Sequence, residues 1–298
     1  MLFRSVLPSR FEKAQQPDPQ SLQLGLRSLE GSHWLELGWD AEAPRLLAIA
    51  APPKRGEGST LAQQLQHSLR GLALVGVEQE GWERVVELVF ARRPGDPPQR
   101  VLVLELMGRH SNLFLLDPQR RVVAAARQIR QSQSRLRPIG TGDPYAPPPP
   151  MAGEPPRLGE AEADWIRRLT LQPLSLRQAL QRSHQGISPA LVRQLLEAPP
   201  EGGAPLPAHQ SMPTLEPQQW DQLWGRWQTW LQAVDQGSFC LRWDGNGGYS
   251  CWAPSADGEP DPSPLPIHRA LAHRTHRWLE ARALQQRRGT LQIGRAHV

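Results

Sequence analysis

Apolar and polar positions alternate through the first part of the chain. Leu22, Leu24 and Leu26 recur at every second position, and Trp34, Leu35 and Leu37 follow, then the run Arg45-Leu-Leu-Ala-Ile49. A period of two places one set of side chains on a single face and predicts strands. Gly31-Ser32 and the acidic turn near Asp40 separate these segments. The period then changes. Leu61, Leu65 and Leu69 stand four apart, which predicts a short helix over about 60–70, capped by Ser59 or Thr60. Five further strands are predicted at 72–79, 83–91, 100–106, 112–116 and 121–126, broken by Gly81, Pro94-Gly-Asp-Pro-Pro98, Gly108 and Asp117-Pro118. Strands in a run with one helix between them imply an α+β domain with antiparallel pairing.

Residues 138–158, with Pro147 to Pro150, read as a boundary or an extended wrap. Helical spacing returns at 159–198. Trp165 and Leu169, then Leu176 and Leu180, form an apolar face, and Ser188-Pro189 starts another helix carrying Leu191 and Leu195. A second proline-rich stretch, 199–215, precedes a helix over 216–235 with Trp220, Trp224, Trp227, Leu231 and Val234 near one face and Trp230 broadening it. A tryptophan stripe can stack bases. The plainer reading is a helix docked on a core. A hairpin is expected at 238–243 and 248–253 around Asp244-Gly-Asn-Gly-Gly248, and a polar, basic helix runs on from Ile267. His268, His273 and His276 on that helix read as a solvated face.

The chain has 298 residues with a net charge of +5, and 32 of its 34 basic residues are arginine. Arginine forks suit phosphate and base edges. The run from Pro118 to Pro138 holds Arg120, Arg121, Arg127, Arg130, Arg135 and Arg137 with no acidic residue after Asp117. Such a run either binds phosphates or is a solvated basic face. Two cysteines, Cys240 and Cys251, fit a reducing compartment and exclude both a disulfide framework and a four-cysteine zinc site. No apolar run reaches the roughly 18–20 residues of a membrane span. A phosphate-cradling glycine loop and a dinucleotide fingerprint are both missing, so no cofactor, metal or small-molecule substrate is expected.

The ends carry a different signal. LFRS at 2–5 is one translation of CTC TTC CGA TCT, and IGRAHV at 293–298 one of ATC GGA AGA GCA CAC GTC, two arms of a common sequencing adapter. The expectation is that residues 1–5 and 293–298 are translated adapter, and that the biological sequence, from about Val6 to Gln292, is truncated at both ends.

The densest polar cluster is Glu105-Leu-Met-Gly-Arg-His-Ser-Asn112, followed by Leu113-Phe-Leu-Leu-Asp117. Gly108 permits a tight bend there. His110 and Ser111 suggest a hydrolase pair. Neighbours on a strand point to opposite faces, however, and no Gly-x-Ser-x-Gly elbow is present. A buried polar network or a phosphate and ribose contact fits better. Gln185-Gly-Ile-Ser-Pro189 lies between two helices and resembles a helix–hairpin–helix, in which N–H groups at a helix start meet phosphate, with Gly186 and Ser188 at the turn. A plain helical hairpin is the alternative.

ELMGRHSNLFLLD resembles the signature of the NFACT family, E-I-M-G-R-H-S-N followed by apolar residues and Asp. Arg10-Phe-Glu-Lys13 with Gln16-Pro17, the helix from Leu61 to Gly71, Gly81-Trp-Glu-Arg-Val-Val86, Arg137-Pro138 with Gly142-Asp-Pro-Tyr145, and Gly186-Ile-Ser-Pro189 resemble further family segments in the same order. The likeness covers about residues 6–197 well. It implies an α+β, antiparallel β-rich NFACT N-terminal domain similar to that of formamidopyrimidine glycosylases (6–150), a helix–hairpin–helix region (151–205), a tryptophan-rich helix and hairpin (206–266), and the start of a coiled-coil arm (267–292). It further implies a cytoplasmic, non-enzymatic RqcH-like quality-control factor. Its partners would be the obstructed large ribosomal subunit, through rRNA, and alanine-charged tRNA, with untemplated C-terminal alanine tailing of stalled chains as the outcome. The family's Asp-Arg pair falls on Glu83 and Arg84, where Glu replaces Asp and adds a methylene. The expected tRNA contacts are Glu83, Arg84, Arg109, His110, Asn112, Arg127, Arg130 and Arg135. The alternatives are a surface fibronectin-binding adhesin, for which no secretion signal is visible, and a DNA glycosylase-like protein, whose four-cysteine finger two cysteines cannot build.

Overall fold

The computed structural model describes residues 6–56, 58–132, 137–197, 205–208, 215–243, 249–252 and 264–296. The chain divides into two compact units. One, the sheet unit, holds Phe3–Glu78, Val85–Pro147 and Leu265–Val298; the other, the helical unit, holds Gln79–Arg84 and Pro148–Pro264.

In the sheet unit, β1 (Ser9–Asp18), β2 (Ser21–Ser28), β3 (Gly31–Trp39) and β4 (Pro44–Ile49) precede helix α1 (Thr60–Leu69). Five more strands follow, β5 (Ala73–Glu78), β6 (Val85–Ala91), β7 (Arg100–Glu105), β8 (Asn112–Leu116) and β9 (Val122–Ala125). All nine form one antiparallel sheet in the order β4-β3-β2-β1-β5-β6-β7-β8-β9. Hairpin-linked neighbours pair throughout, and α1 makes the one long connection. Ser59 caps α1 by accepting a hydrogen bond from Ala62 N, and Ala62, Leu65 and Leu69 turn inward.

The main core collects Leu22, Leu24, Leu26, Leu35, Leu37, Leu65, Leu69, Leu102 and Leu104, all fully buried. At roughly 1.5–3 kcal/mol for each fully buried leucine, this face is the chief stabilising element of the unit. Strands β7 and β8 are buried on both sides. Leu102, Leu104, Leu113 and Leu115 enter the main core, whereas Val101, Val103, Phe114 and Leu116 meet Ile139 and Tyr145 in a second core. Burial of both faces is why these strands read as continuous apolar runs instead of alternating ones.

Helix α6 (Pro264–Ala296) belongs to the sheet unit. His273 is exposed as expected, but the structure corrects the expectation of a solvated face for His268 and His276. His268 is buried, and its Nδ1 accepts the outward N–H of Ala48 on edge strand β4. His276 Nε2 donates to both oxygens of Glu36, at 2.8 and 2.9 Å. Glu36 also accepts from Arg45 Nε at 2.6 Å and Gln23 Nε2 at 2.8 Å. Burial alone would raise the Glu36 carboxyl, but these partners, His276 foremost, bring it down to about 2. The same bond to Glu36 raises His276. Arg282 adds a forked pair to Asp40, at 2.6 and 3.1 Å, and holds the Asp40 carboxyl below its ordinary value against the upward pull of burial. These partners lie more than two hundred positions upstream, beyond the reach of any local pattern.

The helical unit contains α2 (Glu162–Thr170), α3 (Leu176–Ser183), α4 (Pro189–Leu196) and α5 (Pro217–Gln236), with a two-stranded ribbon of β10 (Arg242–Trp243) and β11 (Tyr249–Ser250). The apolar face over 159–183 is two helices, because Pro173 interrupts it and Ser175 opens α3 with a capping box to Gln178. The tryptophan stripe is core. Trp165 and Trp227 are fully buried with ring centroids 5.4 Å apart, and Trp220, Trp224 and Trp230 pack around them. Trp220 and Trp224 remain half-buried at its edge. The ribbon's turn, 244–248, lies outside the described residues.

Candidate nucleic-acid interface

The ELMGRHSN segment forms the β7–β8 connection. Gly108–His110 makes a single 3-10 turn opened by Gly108 at φ 57°, the left-handed region that other residues avoid. Ser111 is fully buried and its Oγ accepts Met107 N at 2.8 Å, which closes the turn. Arg109 and His110 stay exposed, joined by a 3.1 Å bond from Arg109 Nε to His110 Nε2. The two residues of the supposed hydrolase pair are thus on a turn, not a strand, and each is engaged elsewhere.

Asn112 departs from its expected role. It is buried, its Oδ1 accepts Leu113 N (2.9 Å) and Arg127 N (3.0 Å), and its Nδ2 donates to Arg127 O (2.9 Å). Every polar atom of the side chain is spent on joining β8 to the segment after β9. The Arg127 guanidinium donates to the carbonyls of Ser111 and, at 3.3 Å, Arg109, so it braces the turn from outside.

The arginine run is more extensively paired than its composition suggests, although Arg120, Arg121, Arg127 and Arg130 are exposed. Arg137 forms a forked ion pair with the fully buried Glu105, one arm at 2.9 Å, and donates to Ala146 O at 2.7 Å. Tyr145 Oη donates to the same carboxylate at 2.9 Å. Burial, then the neighbouring Glu105, raises the Tyr145 phenol; burial pulls Arg137 down, but the bond to Glu105 together with the Glu105 charge and Tyr145 raises it overall. Arg120 clamps Glu87 at 2.6 and 3.0 Å, and Arg121 donates to Gly142 O at 3.0 Å. The run has no acids of its own because its partners come from β6 and β7. Arg130 is exposed; Arg135 lies outside the described residues.

Glu83 and Arg84 belong to the helical unit and sit in a turn ahead of β6, not on the expected strand. Glu83 Oε1 accepts Met151 N at 3.0 Å. Arg84 is exposed and makes no hydrogen bond or ion pair with a described residue. At the α3–α4 turn, Gly186 has φ 75° and lies against Trp82, where a Cβ would come within 3.0 Å of the ring. Ser188 caps α4 by accepting Leu191 N at 3.1 Å. Pro189 supplies no N–H and Leu191 is taken, so Ala190 is the one free donor among the first three helical residues. That leaves less for a phosphate than the hairpin pattern suggested.

Sequence reading missed His184. It is buried against Trp227, with ring centroids 4.7 Å apart, and its Nε2 meets Arg168 at 3.1 Å. Burial, aided by the Arg168 charge, lowers it to about 4. Its role is core packing. Among the described residues no group of acidic, histidine or cysteine side chains could hold a metal ion, and no helix is long and apolar enough to cross a membrane.

The chain thus combines an antiparallel β-rich unit with a helical unit, and carries an exposed Arg-His turn between paired apolar strands. Residues 2–292 match the family model of the NFACT N-terminal and middle domains, and the chain belongs to that family. It is 31% identical over 152 residues to the Rqc2 homolog RqcH of Streptococcus pneumoniae, covering 50% of this chain and 28% of that protein. It is 25% identical over 197 residues to RqcH of Bacillus subtilis, covering 65% and 34% respectively. These matches span about a third or less of either relative. In fold it is similar to the N-terminal part of the fibronectin/fibrinogen-binding protein of Streptococcus suis, with a TM-score of 0.62, 23% identity and coverage of 88% and 90%. It is also similar to the fibrinogen-binding protein of Staphylococcus aureus, with a TM-score of 0.62, 17% identity and coverage of 84% and 85%.

Proposed function

We propose that this chain is part of an RqcH-like ribosome quality-control factor, a cytoplasmic binding module and not an enzyme. Its exposed arginines would engage tRNA on an obstructed large ribosomal subunit, in support of alanine tailing of the stalled chain. The observation that carries this reading is the family match over residues 2–292, whose ELMGRHSN segment holds Arg109 and His110 exposed on a braced turn. Arg84, exposed and without a described partner, supplies a second cationic contact. In this reading α3 and α4 with Gly186 and Ser188 form the helix–hairpin–helix, α6 begins the coiled-coil arm, and the sheet unit is the glycosylase-like domain. Glu83, tied to Met151 N, orients the segment beside Arg84 and leaves the phosphate contact to the arginine.

Binding of tRNA to this chain, measured across a salt series, tests the reading. Arg84→Ala and Arg109→Ala together should weaken binding at least tenfold for every tRNA and flatten the salt dependence, because phosphate contacts add affinity without selecting sequence. Unchanged affinity would reject these residues as the contact.

A further inference from the structure

The two cysteines of the chain meet across the β10–β11 ribbon. Cys240 precedes the first strand and Cys251 follows the second, and Cys240 N donates to Cys251 O at 3.0 Å. The pairs Arg242–Ser250 and Trp243–Tyr249 continue the ribbon from there. Residues bonded in this way on facing strands have Cα atoms about 5.5 Å apart, inside the range that a disulfide spans. Both cysteines are free thiols, and both are half-buried, so solvent reaches each of them.

The helical unit holds both backbones in place. Gly237 ends α5 in the left-handed region, at φ 66°, and Ser238 N returns to Ala233 O at 3.0 Å, which fixes the approach to Cys240. On the other side, Gln194 of α4 donates through Nε2 to Tyr249 O at 2.7 Å and accepts Trp252 Nε1 at 2.8 Å. These two contacts bracket Cys251. Trp252 also packs against the helical core. Burial, then the neighbouring Cys240, pushes the Cys251 thiol up to about 11, so the two sulfurs lie within each other's field. Among the described residues the pair gains no third histidine, cysteine or acidic partner, whereas a structural zinc takes four ligands.

We propose that Cys240 and Cys251 form a modification site, a dithiol that exchanges with low-molecular-weight disulfides and closes to an intramolecular disulfide. The attacking form of a cysteine is its thiolate. Cys251 is held protonated, so Cys240 attacks first. It forms a mixed disulfide and releases one small thiol, which takes up the Cys240 proton through solvent. Cys251 then attacks Cys240 Sγ, and its proton goes to the second departing thiolate. The two protein sulfurs lose two electrons, and the small disulfide is reduced to two thiols. The new bond ties the exit of α5 to the strand that Gln194 holds on α4. In a reducing compartment such a bond is transient and reports the oxidation state of its surroundings. The site does not rest on the function proposed above.

Equilibration of the full chain with mixtures of reduced and oxidised glutathione, followed by alkylation and peptide mapping by mass spectrometry, tests it. Both thiols are expected to disappear together, with a Cys240–Cys251 cross-link inside one chain. Cys251→Ser should trap Cys240 as a mixed disulfide with glutathione, and in Cys240→Ser the remaining thiol should react at least tenfold more slowly. Mixed disulfides on the two cysteines without a cross-link, cross-links only between chains, or two thiols still open to alkylation at the highest oxidised fraction would overturn the proposal. Equal reactivity of the two single variants would overturn the order of attack.

Discussion

Glu105, the last residue of β7, and Arg137, 32 positions later, form a buried ion pair with Nη1 and Oε2 at 2.9 Å. Glu105 is fully buried, and Arg137 and Tyr145 both converge on it. The glutamate that opens the ELMGRHSN segment is therefore an anchor for the stretch carrying Ile139 and Tyr145, which covers the second core.

Glu105→Ala should cost about 3–5 kcal/mol, because it strands a buried guanidinium. Tyr145→Phe keeps the ion pair and should cost only about 0.5–1.5 kcal/mol. Urea unfolding of the two variants checks both values. Equal losses would mean that the ion pair is not the anchor.

Asn112→Ala should destabilise by roughly 1–3 kcal/mol, since it leaves Leu113 N and the Arg127 backbone groups unpaired where they are shielded from water. Its effect on tRNA affinity should vanish once the unfolded fraction is subtracted. A loss of affinity at full folding would place Asn112 at the ligand after all.

The antiparallel β-rich plan was legible because hairpin-linked strands carry their own punctuation. Strand β1 was not. Its register slips between Phe11 and Lys13 and again between Gln15 and Asp18, and each bulge resets the alternation that marks a strand. The turn at Gly108 was legible from one glycine, and a buried polar network was one of two readings of the cluster; that Ser111 and Asn112 are its buried members was not legible, because their partners are backbone groups at Met107 and Arg127. Counting arginines over 118–138 overstated the unpaired charge for a similar reason: Glu87 and Glu105 lie outside the window. The long-range partners of His268 and His276 left no local trace.

His184 is lowered to about 4 by burial and Arg168. The unfolded chain takes up a proton near pH 6.5 that the folded one refuses until about 4, so stability falls as pH falls through that window. The loss should approach about 3 kcal/mol. His184→Phe should flatten the dependence between those limits in a series of urea midpoints. An equally steep dependence in the variant would contradict this assignment.

His276 and Glu36 set the pH range of α6 docking. The raised histidine contributes below about pH 6.5, and its contribution disappears as pH rises through its folded value. Glu36 contributes above about pH 4.5, and that contribution disappears as pH falls toward about 2. In an NMR titration the His276 ring should titrate above 6.5 and return toward 6.5 in Glu36→Gln. An unmoved midpoint would mean that Glu36 is not what holds the proton.

The central claim concerns RNA, and the most direct measurement is sequencing of the RNA that co-purifies with this chain, captured from cell lysate by an affinity tag. The account predicts enrichment of large-subunit rRNA with a narrow set of tRNAs, alanine types foremost, and loss of the tRNA fraction in Arg84→Ala/Arg109→Ala. Background RNA alone, unchanged in that variant, would leave the NFACT fold standing and contradict the proposed function.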